Sequence, residues 1–183
     1  MNGLEELDIS CNALGQGIIE LTNHLHRVPS LTKLNLAGTE MVEKEATAVG
    51  RRLPRITRLE ELHLSINPLG CGIMELAKHL NFVPGLRILW LSNTQMHEKE
   101  VSALARALKH VPKLVSLNLS GNPLGRGVSV LIQHLSSVPK LRALFLFGVK
   151  MTKSEAEELC TACKDISLCT EYHVSVLFLL KLI

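Results

Sequence analysis

Three groups of residues have the types and spacings that chemistry uses. Gly70-Cys71-Gly72 follows the apolar stretch Leu62-His63-Leu64 and leads into a helical pattern. A strand, a Gly-x-Gly turn and a helix can hold a phosphate on the helix N-terminus. Cys160-x-x-Cys163, with Cys169 and His173 downstream, has the residue types of a zinc site. His24, His79 and His134 supply imidazoles, the side chains most used as general bases.

The elements around these groups change their meaning, because the stretches recur. LDISCNALGQGIIELTNHL begins at Leu7, LHLSINPLGCGIMELAKHL at Leu62 and LNLSGNPLGRGVSVLIQHL at Leu117. Between them lies a second, related kind: LNLAGTEMVEKEATAV from Leu34, LWLSNTQMHEKEVSAL from Leu89 and LFLFGVKMTKSEAEEL from Leu144. Half-repeats of 27 and 28 residues therefore start at Leu4, Leu31, Leu59, Leu86, Leu114 and Leu141, each opening L-x-x-L-x-[LI]. Self-similarity at such a period marks a solenoid. Gly15-x-Gly17 and Gly125-x-Gly127 hold the same slot as Gly70-x-Gly72, and no Lys with Ser or Thr follows, so the glycines read as turn architecture. The three histidines also share one slot and would be spread along the stack, unable to meet on one substrate. Cys163 falls in the slot of Leu53 and Leu108, Cys160 in that of Gly50 and Ala105, and Cys169 in that of Leu59 and Leu114, the first strand leucine. Thiols there read as small hydrophobes, so no metal is expected.

The run L-x-x-L-x-L-x-x-N-x-L, then a helical segment and a Pro before the next strand, resembles the leucine-rich repeats of the ribonuclease-inhibitor type. The likeness covers residues 4–168, with residues 169–183 expected to form a degenerate last repeat or C-terminal cap. It implies an α/β solenoid, a curved arc with a parallel sheet on its concave face and helices on its convex face. Within a unit, the paired Leu residues point inward, and Val101, Leu104 and Leu108, like Ala46, Val49 and Leu53, form helical core stripes. Pro29, Pro84, Pro112 and Pro139 stop the helices. Asn12, Asn67 and Asn122 alternate with Thr39 and Thr94 after the strands, and the resemblance implies a ladder bonded to loop backbone. Val149 interrupts that ladder, so the stack is expected to end near it.

Function then falls to the strand residues between the core leucines. The central column reads Asp8, Asn35, His63, Trp90, Asn118, Phe145; the column before it Glu6, Lys33, Glu61, Ile88, Ser116, Ala143; the column after it Ser10, Ala37, Ser65, Ser92, Ser120, Phe147. The first two vary while the framework stays constant, as a binding surface on a fixed scaffold would. Trp90, with Ile88, Phe145 and Phe147, predicts an apolar patch in the later units. Glu5, Glu6, Asp8, Glu60 and Glu61 predict an acidic end. The expected ligand-binding residues are Glu6, Asp8, Glu61, His63, Ile88, Trp90, Asn118, Phe145 and Phe147, and the expected ligand is a protein.

Bulk properties narrow the field. The 183 residues suit one domain, and 46% hydrophobic residues with only 3% aromatics call for an aliphatic core. A net charge of +3 with mixed signs does not suggest nucleic acid. No signal peptide is evident and five cysteines is an odd number, which points to a reducing, cytoplasmic setting and discounts the sequon Asn118-Leu119-Ser120. The apolar tail from Val174 to Ile183 is too short to span a bilayer, which takes ~20 residues, and an uncovered tail would drive self-association. No catalytic set and no cofactor are expected. The repeats resemble the C-terminal, ligand-sensing segment of nucleotide-binding leucine-rich-repeat (NOD-like) receptors of innate immunity. The alternatives are a stand-alone enzyme inhibitor or a small-GTPase regulator of the same repeat class. The inhibitor would be expected to be acidic and cysteine-rich, which this chain is not.

Overall fold

The computed structural model describes residues 3–163 and the backbone of residues 167–170. Strands and helices alternate: β1 Glu6–Asp8, α1 Gly17–His24, β2 Lys33–Asn35, α2 Glu43–Arg52, β3 Glu61–His63, α3 Gly72–His79, β4 Ile88–Trp90, α4 Glu98–Ala107, β5 Ser116–Asn118, α5 Gly127–His134, β6 Ala143–Leu146, α6 Lys153–Ala162 and β7 Ser167–Thr170. All strands pair in parallel with their sequence neighbours, in the order β1 to β7. The solenoid expected from the repeats is the fold observed. Leu34, Leu62, Leu89, Leu117 and Leu144, at the middle of successive strands, are fully buried. They meet the helix stripes, in which Val49, Leu53, Val101, Leu104 and Leu108 are also fully buried. One continuous aliphatic core therefore runs the length of the sheet.

The asparagine ladder is formed in the interior. Asn67 Oδ1 accepts from the Thr39 and Met41 amides, both at 3.0 Å, and its Nδ2 donates to the carbonyls of Leu36, Leu64 and Ser65. Asn122 repeats this with the Thr94 and Met96 amides and the Leu91 carbonyl. These buried loop amides would otherwise lack partners, which costs free energy. In the second kind of unit the helix start is held by a glutamate: Glu45, Glu100 and Glu155 accept from the backbone amides of Val42, His97 and Thr152. Thr152 Oγ1 also accepts from the Glu155 amide, closing a full capping box.

The two glycines of each Gly-x-Gly do different jobs. Gly15, Gly70 and Gly125 have φ of +44°, +47° and +54°, a left-handed turn that side chains resist. Gly72 has an ordinary φ, but a Cβ there would lie 2.6 Å from both the Ala46 Cβ and the Glu43 carbonyl oxygen. A Cβ at Gly127 would collide with Val101 in the same way. The repeated histidines are helix ends: Nδ1 of His24, His79 and His134 lies 2.9–3.0 Å from the carbonyl oxygen four residues back.

Two expectations fail at the C-terminal end. The stack does not stop near Val149, which is buried, because β7 adds to the sheet beyond it. Cys169 does not occupy the first-leucine slot; it pairs in register with Phe145, with Leu168 opposite Leu144. The reason is chain length. Four residues, 163–166, link α6 to β7, where eight, 135–142, link α5 to β6, so the last strand slips four positions relative to the 55-residue period. His173 and the tail from Val174 to Ile183 lie outside the described residues.

Candidate functional site

Each strand is only three or four residues long, so its middle leucine points into the core and its two neighbours point to the opposite sheet face. No helix covers that face among the described residues. Strand register sets the columns side by side: Glu61 beside Lys33 and Ile88, and His63 beside Asn35 and Trp90. Glu6, Asp8 and Trp90 are exposed, while Glu61, His63, Ile88, Asn118 and Phe145 are half-buried. Phe147, just past β6, is 49% exposed and Trp90 36%.

The acidic end is less free than its composition suggests. Asp8 Oδ1 accepts from the Ser10 amide at 3.0 Å and hydroxyl at 2.6 Å, and Oδ2 accepts from Asn35 Nδ2 at 2.9 Å. These bonds, those from Ser10 first, lower its carboxyl pKa to about 2. Glu61 lies 3.5 Å from Lys33 Nζ, and Glu60 4.0 Å from Arg87. Part of the acidic charge is thus already paired within the sheet face.

The apolar patch is also arranged differently from the sequence expectation. Trp90 and Phe145 sit in one column but on β4 and β6, with Asn118 of β5 between them. Neighbouring strands lie ~4.8 Å apart, so the two aromatics are about 10 Å apart at their backbones. The ring contact of Trp90 is with His63 on the other side: centroids lie 4.4 Å apart, with the planes 26° from parallel. Trp90 Nε1 also donates to Ser116 Oγ at 3.2 Å. His63 was expected as a ligand contact, not as a floor beneath Trp90. The signal was present in the sequence, since adjacent members of one column are cross-strand neighbours.

His63 is the most unusual group on this face. Its side chain is 12% exposed, and its buried Nε2 has no hydrogen-bond partner among the described residues. The Glu61 carboxylate lies 3.6 Å from it. Burial lowers the imidazole pKa; it outweighs the raising effect of Glu61, and Lys33 adds a smaller lowering and Asp8 a still smaller raising. The imidazole is therefore held neutral near pH 7.

Two serines of the third column have a structural role. Ser65 Oγ accepts from the Ser92 amide and Ser120 Oγ from the Phe147 amide, both at 3.1 Å. Asn118 Oδ1 accepts from the Ser120 amide at 3.0 Å. The two serines tie one strand end to the next, while the Asn118 bond stays within its own segment. Cys163 is buried, and burial, with the nearby Cys160, raises its thiol to about 11. Among the described residues, no group of three or more His, Cys, Asp or Glu side chains is placed to hold a metal ion. Nor is any helix there long and apolar enough to cross a membrane.

A family model described as Leucine Rich Repeat matches residues 113–135. The chain is 35% identical over 157 residues to human NACHT, LRR and PYD domains-containing protein 12, covering 82% of this chain and 15% of that protein. It is 32% identical over 169 residues to bovine Tonsoku-like protein, covering 85% of this chain and 12% of that one. Pig ribonuclease inhibitor is 29% identical over 163 residues, covering 86% of this chain and 36% of the inhibitor. This chain thus spans well under half the length of each of these relatives. Among solved structures, the leiomodin-1 actin-binding site 2 superposes with a TM-score of 0.64 at 17% identity, covering 76% of this chain and 81% of that one, a likeness of fold alone.

Proposed function

From the premise that the chain is a leucine-rich-repeat protein of the ribonuclease-inhibitor type, we propose that it is a non-catalytic, cytoplasmic scaffold that binds a protein on its concave sheet face. The observation that carries this reading is Trp90, an exposed indole fixed by His63 below and Ser116 beside it on a rigid sheet. Tryptophan anchors on rigid surfaces dominate many interfaces. Phe145 and Phe147 extend the apolar surface across Asn118, and Glu6 offers an unpaired acid among the described residues at the other end. The partner would set an apolar group on Trp90 and a basic group near Glu6 and Asp8. The similarity to NACHT, LRR and PYD proteins supports a repeat segment of an innate-immune receptor. The similarity to ribonuclease inhibitor supports the second reading, an enzyme inhibitor working from the same face.

Affinity capture from cytosol with the chain and with its Trp90→Ala and Phe145→Ala variants tests the assignment. Truncating a central anchor costs ~2 kcal/mol or more, about a 30-fold loss of affinity. Partners retained equally by both variants would place binding elsewhere. Identifying the captured protein as an enzyme inhibited by the chain would select the second reading.

A further inference from the structure

Five connectors among the described residues lead from a helix to the next strand: 25–32, 53–60, 80–87, 108–115 and 135–142. They carry eight Lys or Arg and one acid, Glu60, although the whole chain has 20 Lys or Arg and 17 Asp or Glu. The connectors stack into one rim beside the sheet face. The Arg87 amide donates to the Glu60 carbonyl at 2.7 Å, the Val115 amide to the Arg87 carbonyl at 2.7 Å and the Arg142 amide to the Val115 carbonyl at 2.8 Å. Arg58, Arg87, Lys113, Lys140 and Arg142 are all exposed. Arg87 reaches the Glu60 carboxylate at 4.0 Å, and the Arg142 guanidinium donates to carbonyls of its own connector. Arg58, Lys113 and Lys140 form no ion pair among the described residues.

Helix ends do not account for this row. Cations favour the last turn of a helix, which covers Arg51, Arg52 and Arg106, and the effect fades beyond that turn. Arg58, Lys113 and Lys140 each lie six residues past the end of the preceding helix. Lys113 and Lys140 also hold one slot in adjacent units, with backbones near the strand spacing of ~4.8 Å. Unpaired like charges set side by side cost stability. We infer that this rim, centred on Lys113, Lys140 and Arg142, is an interface for an acidic segment of a partner protein. The chain shows a carboxylate received on the same rim, that of Glu60 beside Arg87. Exposed Arg side chains add forked donors that match carboxylates. A nucleic acid fits less well. Phe82 is the sole Phe, Tyr or Trp of the five connectors, so no row of rings is offered to bases. Glu60 and the adjoining Glu61 interrupt the cations that a continuous phosphate backbone would follow. Spaced carboxylates suit such an interrupted row.

The test uses a labelled oligoglutamate peptide and the full chain, read by fluorescence anisotropy. Binding is expected at low salt and should weaken steeply between about 50 mM and about 300 mM salt. The combined variant Lys113→Glu, Lys140→Glu, Arg142→Glu should lose about tenfold in affinity or more while melting near the parent. The neutral pair Lys113→Gln, Lys140→Gln, which adds no repulsion, should lose about threefold. The combined variant Lys44→Glu, Lys99→Glu, Lys153→Glu makes the same change in net charge at the helix starts and should lose less than about twofold. No binding by the parent at low salt overturns the inference, and so does an equal loss in the two triple variants. A single-stranded DNA oligonucleotide of equal charge, bound more tightly and lost on the same rim substitutions, would assign the rim to nucleic acid and also overturn it. Trp90→Ala, which tests the sheet face, should bind the peptide as the parent does; a loss there would move the peptide to the sheet face and overturn the rim assignment.

Discussion

Replacing Asn67 by alanine removes one side chain that serves five backbone groups. The Thr39 and Met41 amides lose their shared acceptor, and the Leu36, Leu64 and Ser65 carbonyls lose a donor. Asn67 is fully buried, so water does not replace it without opening the loop. An unsatisfied buried amide costs ~1–3 kcal/mol, and two cost roughly 2–6 kcal/mol. In a chain of this size 1 kcal/mol moves Tm by about 2–4 °C, so Asn67→Ala should lower Tm by about 10 °C. Asn118→Ala is the control. It loses one bond, to the Ser120 amide, from a half-buried position, and should cost less than ~1 kcal/mol. Thermal melts give the size, and amide exchange gives the place, with Thr39 and Met41 losing protection first. An Asn67→Ala protein within ~1 kcal/mol of the parent, or one with those two amides still protected, would refute the view that the ladder holds the loops.

Two further outcomes follow from titrating groups. The folded-state pKa of His63 lies below the usual 6.5, so the unfolded chain binds the proton more readily. Stability should therefore decline as pH falls from 6.5 toward the lower folded value and be unaffected by this group above 6.5. Melts between about pH 7.5 and about pH 5.5 should show a steeper loss for the parent than for His63→Gln, and the fluorescence of Trp90, the sole tryptophan, should report the same protonation; identical slopes would contradict it. Alkylation mapped by mass spectrometry at about pH 8 should modify the exposed Cys11 readily and leave Cys163, raised to about 11 by burial, unmodified in the folded chain. Equal rates at the two sites would show that Cys163 is not held in the core.

The interior was legible because a slot in the repeat fixes an environment. Leu34, Leu89 and Leu144 share a spacing and a fate, and so do Asn67 and Asn122. What escaped depended on chain length or on side chains meeting across strands. The slip of Cys169 came from a connection four residues shorter, which no periodic rule contains. The stacking of Trp90 on His63 came from two variable positions that happen to be neighbours in one column. The variable residues are also where a partner would be chosen, so the least readable part of the sequence coincides with the candidate site.

The alternation of unit kinds has a physical consequence for that site. Among the described residues, each close approach between helices at a glycine lies where a second-kind unit precedes a first-kind one: Gly50 against Leu76, Gly72 against Ala46 and Glu43, and Gly127 against Val101 and Glu98. A side chain at any of these glycines would push two helices apart, and the strands joined to them would follow. The same junctions carry the buried asparagine bonds, so helix spacing and loop position are set at one place. Among the described residues, the junction where a first-kind unit precedes a second-kind one shows neither device. His63 and Trp90 straddle such a junction, between β3 and β4, where the Ser65 hydroxyl accepts from the Ser92 amide. Their ring stack adds a cross-strand tie at this junction, while the bond from Trp90 to Ser116 joins β4 to β5 across a junction of the other kind. A ligand that pulled Trp90 away from His63 would act on a junction without the glycine approach and the buried asparagine.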